Sequence, residues 1–356
     1  MWWIKIIALF LASGIVGWLC TWLVRRLAIV GKVLDIPDDS RRIHQQPIPL
    51  LGGWALYLTT LIMTLWLYAM GQVNDPKVSL NLLLGFFISG AILMLGGWLD
   101  DKWRLNSYQS LAFPLTAVII VIFSGLKMPF ITNPFGGLLY FQQWESLILG
   151  GLISFTGLLM FLWLMTTIYT VKLLDGLDGL ASSISLVAML VIFVVSLFWD
   201  APHSLTSYLS IIIAGALIGF LLWNWYPAKI FLGESGSTWL GFVLGFLAIV
   251  TGGKIATALL VMGIPLLDVI WVIARRLIQR KNIMIGDAGH LHFRLLALGW
   301  SQRRVVITLA IVSLLFGSVS FFTTTGGKIT ALAVLLLLMI GSVIYLLRHE
   351  KEKEHL

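Results

Sequence analysis

Residues 180–199 read LASSISLVAMLVIFVVSLFW, twenty positions without a charged side chain. A helix of about twenty apolar residues crosses the hydrocarbon core of a bilayer, so this stretch predicts a membrane-spanning helix. The rest of the chain is similar, because 59% of its 356 residues are hydrophobic and only 11% are charged. A soluble domain has about a quarter of its residues charged, and the composition therefore excludes a soluble globular protein.

Ten further apolar stretches have a comparable length, which predicts an all-α polytopic membrane protein with about eleven transmembrane helices. The short, glycine-rich stretch 235–253 is the weakest of them, and without it the number is ten. The remaining predicted spans are 6–24, 53–74, 78–99, 105–126, 146–171, 205–225, 255–274, 305–327 and 329–347. Because these spans leave only loops, residues 1–356 are predicted to form a single integral membrane domain.

The positions of lysine and arginine indicate the orientation, since these residues favour cytoplasmic loops. With the N-terminus outside, 19 of the 24 cations lie on inner segments and five on outer ones. The predicted inner loops are 25–52, 100–108, 172–179, 226–237 and 275–304, with a cytoplasmic tail at 348–356. The longest outer segment, 127–145, is predicted to be a short hairpin or interfacial loop. This placement of cations explains the net charge of +8 without a nucleic-acid partner.

Two predicted inner helix ends carry paired carboxylates. Asp100 and Asp101 end the third span, where a catalytic pair and a merely charged helix end fit the sequence equally well. Asp175 and Asp178 lie between glycines in the stretch DGLDG. Glycine permits close backbone approach to a ligand, and carboxylates can bind a divalent cation beside a phosphate. This second pair predicts a ligand site in preference to a simple turn.

Three other inner segments carry candidate ligand groups. Glu234 lies in the stretch GESGS, at the start of a predicted helix. The free backbone amides at a helix start favour an anion, and the Glu234 carboxylate can hold a cation that this anion also binds. His290, His292 and Arg294 alternate with apolar residues, so an extended segment would point all three towards a phosphate or sugar, whereas a helix would spread them. Arg42 and His44 lie in a proline-punctuated loop that is either a positive membrane anchor or a ligand contact.

Asp268 lies inside the predicted span 255–274, where an ionisable side chain is costly and usually has a partner. A proton relay is one reading, but a single buried acid gives little support for an ion pathway. We expect a structural role, in which Asp268 pairs with a helix break near Pro265 or with the active-site loops.

The ordered motifs resemble those of the polyprenyl-phosphate N-acetylhexosamine-1-phosphate transferase superfamily, and the resemblance covers nearly the whole chain. They are Asp35-Ile-Pro37 with Arg42-Ile-His44 and Gly52-Gly53, Asp100-Asp101, Asp175-Gly-Leu-Asp178-Gly, Pro227-Ala-Lys-Ile-Phe-Leu-Gly233-Glu234-Ser-Gly236-Ser237, and His290-Leu-His292-Phe-Arg294. Each motif alone is weak, but five in this order, all on the predicted inner face, are specific.

The resemblance implies a phosphotransferase that moves a sugar 1-phosphate from a UDP-N-acetylhexosamine to undecaprenyl phosphate and releases UMP. It further implies a bacterial inner-membrane protein that starts lipid-linked glycan synthesis, such as that of O-antigen, with magnesium as cofactor and manganese as an alternative. GlcNAc is the default sugar, and FucNAc or QuiNAc are others. A homodimer is compatible with the resemblance but has no motif of its own.

The resemblance also assigns roles by matching position. Asp100 and Asp101 match an acidic pair at the acceptor phosphate, and Asp175 and Asp178 match carboxylates around the nucleotide and metal. The remaining matched positions are predicted to contact the nucleotide-sugar: Gly176, Leu177, Arg42, His44, His290, His292 and Arg294.

Three positions depart from the family pattern. Lys172 replaces an asparagine that helps to hold the metal, Glu234 replaces an aspartate, and Phe293 replaces the second histidine of a pair. Because a lysine at that position repels a cation, either magnesium shifts towards Glu234 and Asp175 or the ammonium takes over part of its work. Two other functions stay open: a catalytically silent relative that binds the lipid carrier, and a membrane transporter.

Overall fold

The computed structural model describes residues 2–37, 46–72, 78–128, 130–133, 137–141, 154–199, 204–251, 255–280, 289–323 and 325–354. These residues form thirteen α-helices and four short strands, which confirms the all-α polytopic class. The helices are α1 (Trp2–Val30), α2 (Gly52–Ala69), α3 (Leu80–Trp103), α4 (Ser107–Phe123), α5 (Phe155–Leu174), α6 (Leu180–Trp199), α7 (Leu205–Asn224), α8 (Gly233–Val250), α9 (Ile255–Val261), α10 (Gly263–Ile278), α11 (Leu291–Ala297), α12 (Gln302–Phe322) and α13 (Thr325–Glu354).

The described helices match the eleven predicted spans one by one. Eight of them, α1 to α3, α5 to α8 and α12, are long and apolar enough to cross a membrane. Helices α9 and α10 pass the same test together as one broken span, and α4 and α13 contribute shorter apolar helices. Only α11 lies outside this set, within the predicted inner loop 275–304.

The ninth span is broken rather than straight. Helix α9 ends at Val261, α10 begins at Gly263, and their axes differ by 78°. Pro265 therefore lies in the first turn of α10, where the N–H that proline lacks would have no helical partner. The helix break predicted near Pro265 is confirmed.

Helices α6, α7 and α8 form the centre of the bundle. Trp239 and Phe242 of α8 are completely buried, as are Ile213 and Phe220 of α7. Helix α1 is different, because much of its apolar surface is exposed and α7 is its main neighbour. An exposed apolar face is what a helix in contact with lipid requires, since hydrocarbon replaces water around it.

Two small sheets complete the fold. Strand β1 (Leu34–Asp35) pairs antiparallel with β2 (Ile48–Pro49), and the backbone amide of Phe231 donates to the Pro49 carbonyl at 2.9 Å. The chain entering α8 is thereby tied to the chain entering α2. Strands β3 (Phe130–Thr132) and β4 (Leu138–Tyr140) form an antiparallel pair, which confirms the hairpin predicted within 127–145.

Helices α2 and α3 cross the first turn of α8 at two glycines. A Cβ at Gly53 would lie 2.3 Å from the backbone nitrogen of Gly236, and a Cβ at Gly97 would lie 2.1 Å from that of Ser235. Both distances are too short for any side chain, so only glycine permits this approach. The crossing places the end of α3 beside the start of α8, where the candidate site lies.

Candidate active site

A cleft of about 1080 Å³ opens where α3 and α5 end and α8 begins. Its charged lining combines residues from most of the predicted motifs. The acidic members are Asp35, Asp100, Asp101, Asp175, Asp178 and Glu234, and the basic members are Arg25, Arg104, Lys172 and Lys229. The structure therefore brings together the acidic pairs and the helix start that the sequence analysis singled out separately.

Asp100 and Asp101 lie in the last turn of α3 and make different contacts. Asp100 accepts hydrogen bonds from the Leu105 amide at 2.9 Å and from the Ser110 hydroxyl at 2.7 Å, so it joins α3 to α4. Asp101 accepts from the backbone amide of Glu234 at 3.1 Å through Oδ1. A carboxylate at a helix start is stabilised by the free amides and the helix dipole, so Asp101 caps α8.

The other oxygen of Asp101 has no such partner. Its Oδ2 is buried and accepts no hydrogen bond from the described residues. This oxygen lies against Gly233, where the Cβ of any other residue would collide with it. Glycine at position 233 therefore leaves room for the Asp101 carboxylate. A buried carboxylate oxygen without a donor is costly and is typical of a site awaiting a ligand.

Lys172 and Glu234 form an ion pair across the cleft. The Nζ of Lys172, in the last turn of α5, lies 2.8 Å from Oε2 of Glu234 in the first turn of α8. The ammonium also donates to the Ser110 hydroxyl at 3.4 Å. The hydroxyl of Ser110 thus joins Lys172 to Asp100, and one network connects the ends of α3 and α5 with the starts of α4 and α8.

Asp175 and Asp178 lie in the short turn between α5 and α6. Asp178 accepts a hydrogen bond from the Ala228 amide at 2.9 Å, which ties this turn to the segment that precedes α8. Burial raises the pKa of Asp175 to about 8, and the negative charges of Glu234 and Asp178 act in the same direction. Asp175 is therefore largely neutral at pH 7. Gly176 and Leu177 line the cleft beside it, and their predicted contact with the nucleotide stays a prediction.

The histidine-containing loop is helical, and it anchors the site rather than lining it. Leu291 begins α11, so His290, His292 and Arg294 follow the helical alternative of the sequence analysis and not the extended one. His290, His292 and Arg294 are all buried and do not line the cleft, whereas Phe293 does. The predicted contacts of these three residues with the nucleotide-sugar stay predictions.

Asp268 holds this loop in place. The Nδ1 atom of His290 lies 2.8 Å from Oδ2 of Asp268, and the Leu291 amide donates to Oδ1 at 2.8 Å. The structural role predicted for Asp268, as a partner of the active-site loops, is confirmed. Beside it, the rings of His290 and His292 stack at 5.6 Å.

His292 is the member of the loop that reaches the turn at Asp175. A Cβ at Gly176 would lie 2.5 Å from Nε2 of His292, so the imidazole is in direct contact with that glycine. Burial lowers the pKa of His292 to about 4, against an opposing effect of Asp268. The imidazole is neutral at physiological pH. The other two predicted contacts, Arg42 and His44, lie outside the described residues.

Comparison with known proteins identifies the family. The sequence profile of glycosyl transferase family 4 matches residues 83–252. A decaprenyl-phosphate N-acetylglucosaminephosphotransferase from Mycolicibacterium smegmatis is 30% identical over 95% of this chain and 87% of its own length. The chain belongs to this family. The predicted resemblance to the polyprenyl-phosphate N-acetylhexosamine-1-phosphate transferase superfamily is thereby confirmed.

Other members of the superfamily show the same extended match. An undecaprenyl-phosphate alpha-N-acetylglucosaminyl 1-phosphate transferase from Thermotoga maritima is 30% identical over 79% of this chain and 78% of its own length. A phospho-N-acetylmuramoyl-pentapeptide-transferase from Clostridium kluyveri is 28% identical over 81% of this chain and 89% of its own length. The chain is thus a multi-pass membrane enzyme of the phosphotransferase type.

The magnesium site predicted for this family member does not fit the donor set of the described residues. Glu234, one predicted ligand, directs its carboxylate at the ammonium of Lys172. Within the described part of the chain, no three Asp, Glu, His or Cys side chains are placed to hold a metal ion.

Ser110 and Asn224 are among the polar residues of the site that the sequence analysis missed. Ser110 joins Asp100 to Lys172, but a serine in the first turn of a helix gives no signal of such a role. Asn224 is buried at the end of α7, accepts from Ser182 at 2.8 Å and donates to the Ile230 carbonyl at 2.9 Å. A polar amide at the end of an apolar span was a signal for Asn224, because such groups are buried only with partners.

Proposed function

We propose that this chain transfers GlcNAc 1-phosphate from UDP-GlcNAc to undecaprenyl phosphate and releases UMP. The observation that carries the proposal is the cleft itself, in which Asp100, Asp101, Asp175, Asp178 and Glu234 meet at one end of the helix bundle. The names of the relatives from Mycolicibacterium smegmatis and Thermotoga maritima support polyprenyl phosphate as acceptor and N-acetylglucosamine as sugar. In this proposal the cleft faces the cytoplasm of a bacterial inner membrane, where the donor is dissolved.

The transfer has a simple atomic balance. An oxygen of the acceptor phosphate forms a bond to the sugar-bearing phosphorus of the donor. The bond from that phosphorus to the bridging oxygen breaks, and its electron pair leaves with UMP. Phosphoryl transfer depends on positioning and on stabilisation of charge, so the protein must hold two anionic groups in line.

The described residues suit this task in distinct ways. Asp101 keeps an unpartnered oxygen at the start of α8 and can act as the base that takes a proton from the acceptor phosphate, with Asp100 fixed behind it by Ser110. The turn at Gly176 offers backbone to the nucleotide. The neutral Asp175 accommodates the donor's phosphates with less repulsion than an ionised carboxylate would exert.

The proposal is tested by UMP release from purified full-length protein supplied with undecaprenyl phosphate and a panel of UDP-N-acetylhexosamines. We expect UDP-GlcNAc to support release, and Asp101→Asn to reduce the rate about 100-fold or more. Lys102→Met serves as a matched control, because Lys102 follows Asp101 in α3 but lies over the rings of Trp98 and Trp103. Release with a different donor alone would replace GlcNAc with that sugar.

A catalytically silent relative is the second candidate, because the Lys172–Glu234 pair stands where the family pattern holds a metal. It predicts binding of undecaprenyl phosphate without UMP release from any donor, and that outcome would overturn the transferase proposal.

A further inference from the structure

The two departures from the family pattern at Lys172 and Glu234 are physically one feature. Their side chains come from different helices, α5 and α8, yet Nζ of Lys172 lies 2.8 Å from Oε2 of Glu234. A lysine at a position that elsewhere holds a cation would by itself repel that cation. The carboxylate of Glu234 holds the ammonium at this place, so a positive charge lies where the family pattern puts the cation.

The charge distribution of the cleft shows why a cation is needed there. Six acidic and four basic side chains are among the residues that line it, and both substrates of the proposed reaction add phosphate charge. Arg25 and Lys229 lie over the ring of Trp223, at 5.9 and 5.7 Å from its centre. Lys172 lies among the carboxylates, with its side chain 21% exposed.

The ammonium of Lys172 is also positioned to bind a further group. A lysine has three N–H donors, and hydrogen-bonding contacts direct one to Glu234 at 2.8 Å and one to Ser110 at 3.4 Å, while the centre of the Tyr169 ring lies 5.8 Å from the ammonium. The side chain of Lys172 reaches the cleft surface, so its remaining donor can meet a phosphate oxygen. Lysine binds phosphate as a compact point charge and needs no fixed coordination geometry.

We propose that the ammonium of Lys172, held by Glu234 and Ser110, is the resident cation of this active site and replaces a divalent ion in stabilising the transferred phosphoryl group. The inference rests on the proposed function and concerns how the charge in that reaction is offset. As the acceptor oxygen bonds to phosphorus and UMP departs, the ammonium stays bound to the non-bridging oxygens and transfers no proton. The reaction of this chain then proceeds without added metal.

The experiment measures UMP release by full-length protein with UDP-GlcNAc and undecaprenyl phosphate, in EDTA and in magnesium. We expect the rates of the wild type to agree within about twofold in the two conditions, and Lys172→Met to lose about 100-fold in both. Lys172→Arg should recover part of the rate, because it restores the charge. Lys102→Met should behave as the wild type does. Loss of wild-type activity in EDTA together with full recovery in magnesium would overturn the inference while leaving the proposed function intact.

A double variant, Lys172→Asn with Glu234→Asp, restores the family pattern at these two positions and provides the converse test. We expect its rate to fall at least about tenfold in EDTA and to recover with magnesium. Binding of Mn²⁺, followed by electron paramagnetic resonance, gives a readout independent of turnover. The double variant should bind one more Mn²⁺ than the wild type does. Equal Mn²⁺ binding by both proteins would contradict the inference, even if neither released UMP and the proposed function had failed.

Discussion

The carboxylate of Asp268 and the imidazole of His290 form a buried contact of 2.8 Å that joins the middle of α10 to the start of α11. The same carboxylate accepts from the Leu291 amide at 2.8 Å, so both of its oxygens are used to hold one loop. An intramembrane acid invites comparison with proton pathways, but this pair is a clamp. It fixes the loop whose His292 contacts Gly176 at the cleft.

Removal of the Asp268 carboxylate is expected to destabilise the protein and to impair turnover. Asp268→Ala leaves a buried amide and a buried imidazole without an acceptor, and each such group costs about 1–3 kcal/mol. Asp268→Asn keeps one acceptor oxygen for Leu291 and should be milder. Thermal unfolding in detergent should show the order wild type, Asn, Ala, and UMP release should fall in the same order. An Asp268→Ala protein as stable as the wild type would show that the clamp has no energetic role.

The stability of the protein is expected to fall in acid because of His292. Its pKa is about 4 in the fold and about 6.5 when exposed, so the unfolded state takes up the proton first between these values. The neutral imidazole makes its full contribution to the free energy of unfolding above pH 6.5. This contribution is lost as the pH falls towards 4. Its size is on the order of 3 kcal/mol, taking about 1.4 kcal/mol per pH unit.

The measurement is the melting temperature in detergent at several pH values between 4.5 and 7.5, for the wild type and His292→Gln. Glutamine keeps a polar side chain but does not titrate, so the variant should lose stability less steeply in acid. Equal slopes for both proteins would assign the acid sensitivity to other groups.

The membrane architecture could be predicted from the sequence because it follows from local composition. Uncharged runs of about twenty residues, such as 180–199, are long enough to be read individually, and the break near Pro265 has a local cause. The placement of Asp101 and Asp175 on one side of the membrane was also within reach, because both end a span on the same predicted side. None of these conclusions required knowledge of which helices are neighbours.

The contacts between helices could not be read in the same way. The pairing of Lys172 with Glu234 depends on how α5 packs against α8, and that of Asp268 with His290 depends on the path of the chain after α10. The alternation of His290, His292 and Arg294 suggested a strand as well as a helix, since a short pattern fits both periods. The segment is a helix whose first residue donates to Asp268, a partner too distant in sequence for the local pattern to show.

The hydroxyl of Ser110 is expected to position Lys172 through its bond to Asp100. Ser110→Ala removes both contacts and leaves the ammonium held by Glu234 and the ring of Tyr169, so we expect UMP release to fall about tenfold. Ser107→Ala is a matched control in the same first turn of α4, where the side chain of Ser107 is exposed. Ser110→Thr should keep most of the activity because it retains the hydroxyl. Equal rates for Ser110→Ala and Ser107→Ala would remove Ser110 from the site.

The glycine crossing at the start of α8 is expected to tolerate no side chain. A Cβ at Gly97 would lie 2.1 Å from the backbone nitrogen of Ser235, and the atoms it meets cannot rotate away as the end of a long side chain would. Gly97→Ala must therefore displace α3 from α8, and with it the Asp101 bond to the Glu234 amide. Overpacking of this kind costs about 1–3 kcal/mol, and the distorted site should lose UMP release more than tenfold.

The control for this substitution is Gly341→Ala in α13, where no atom lies within 4 Å of the added Cβ. Alanine is the better helix former by about 1 kcal/mol, so Gly341→Ala should keep or raise the melting temperature and leave UMP release unchanged. The two variants add the same methyl group to a helix, and they differ in what that methyl group meets. If both variants lowered the melting temperature equally, the loss would reflect the effect of alanine on the helix backbone. The close approach of α3 to α8 would then not explain the glycine at position 97.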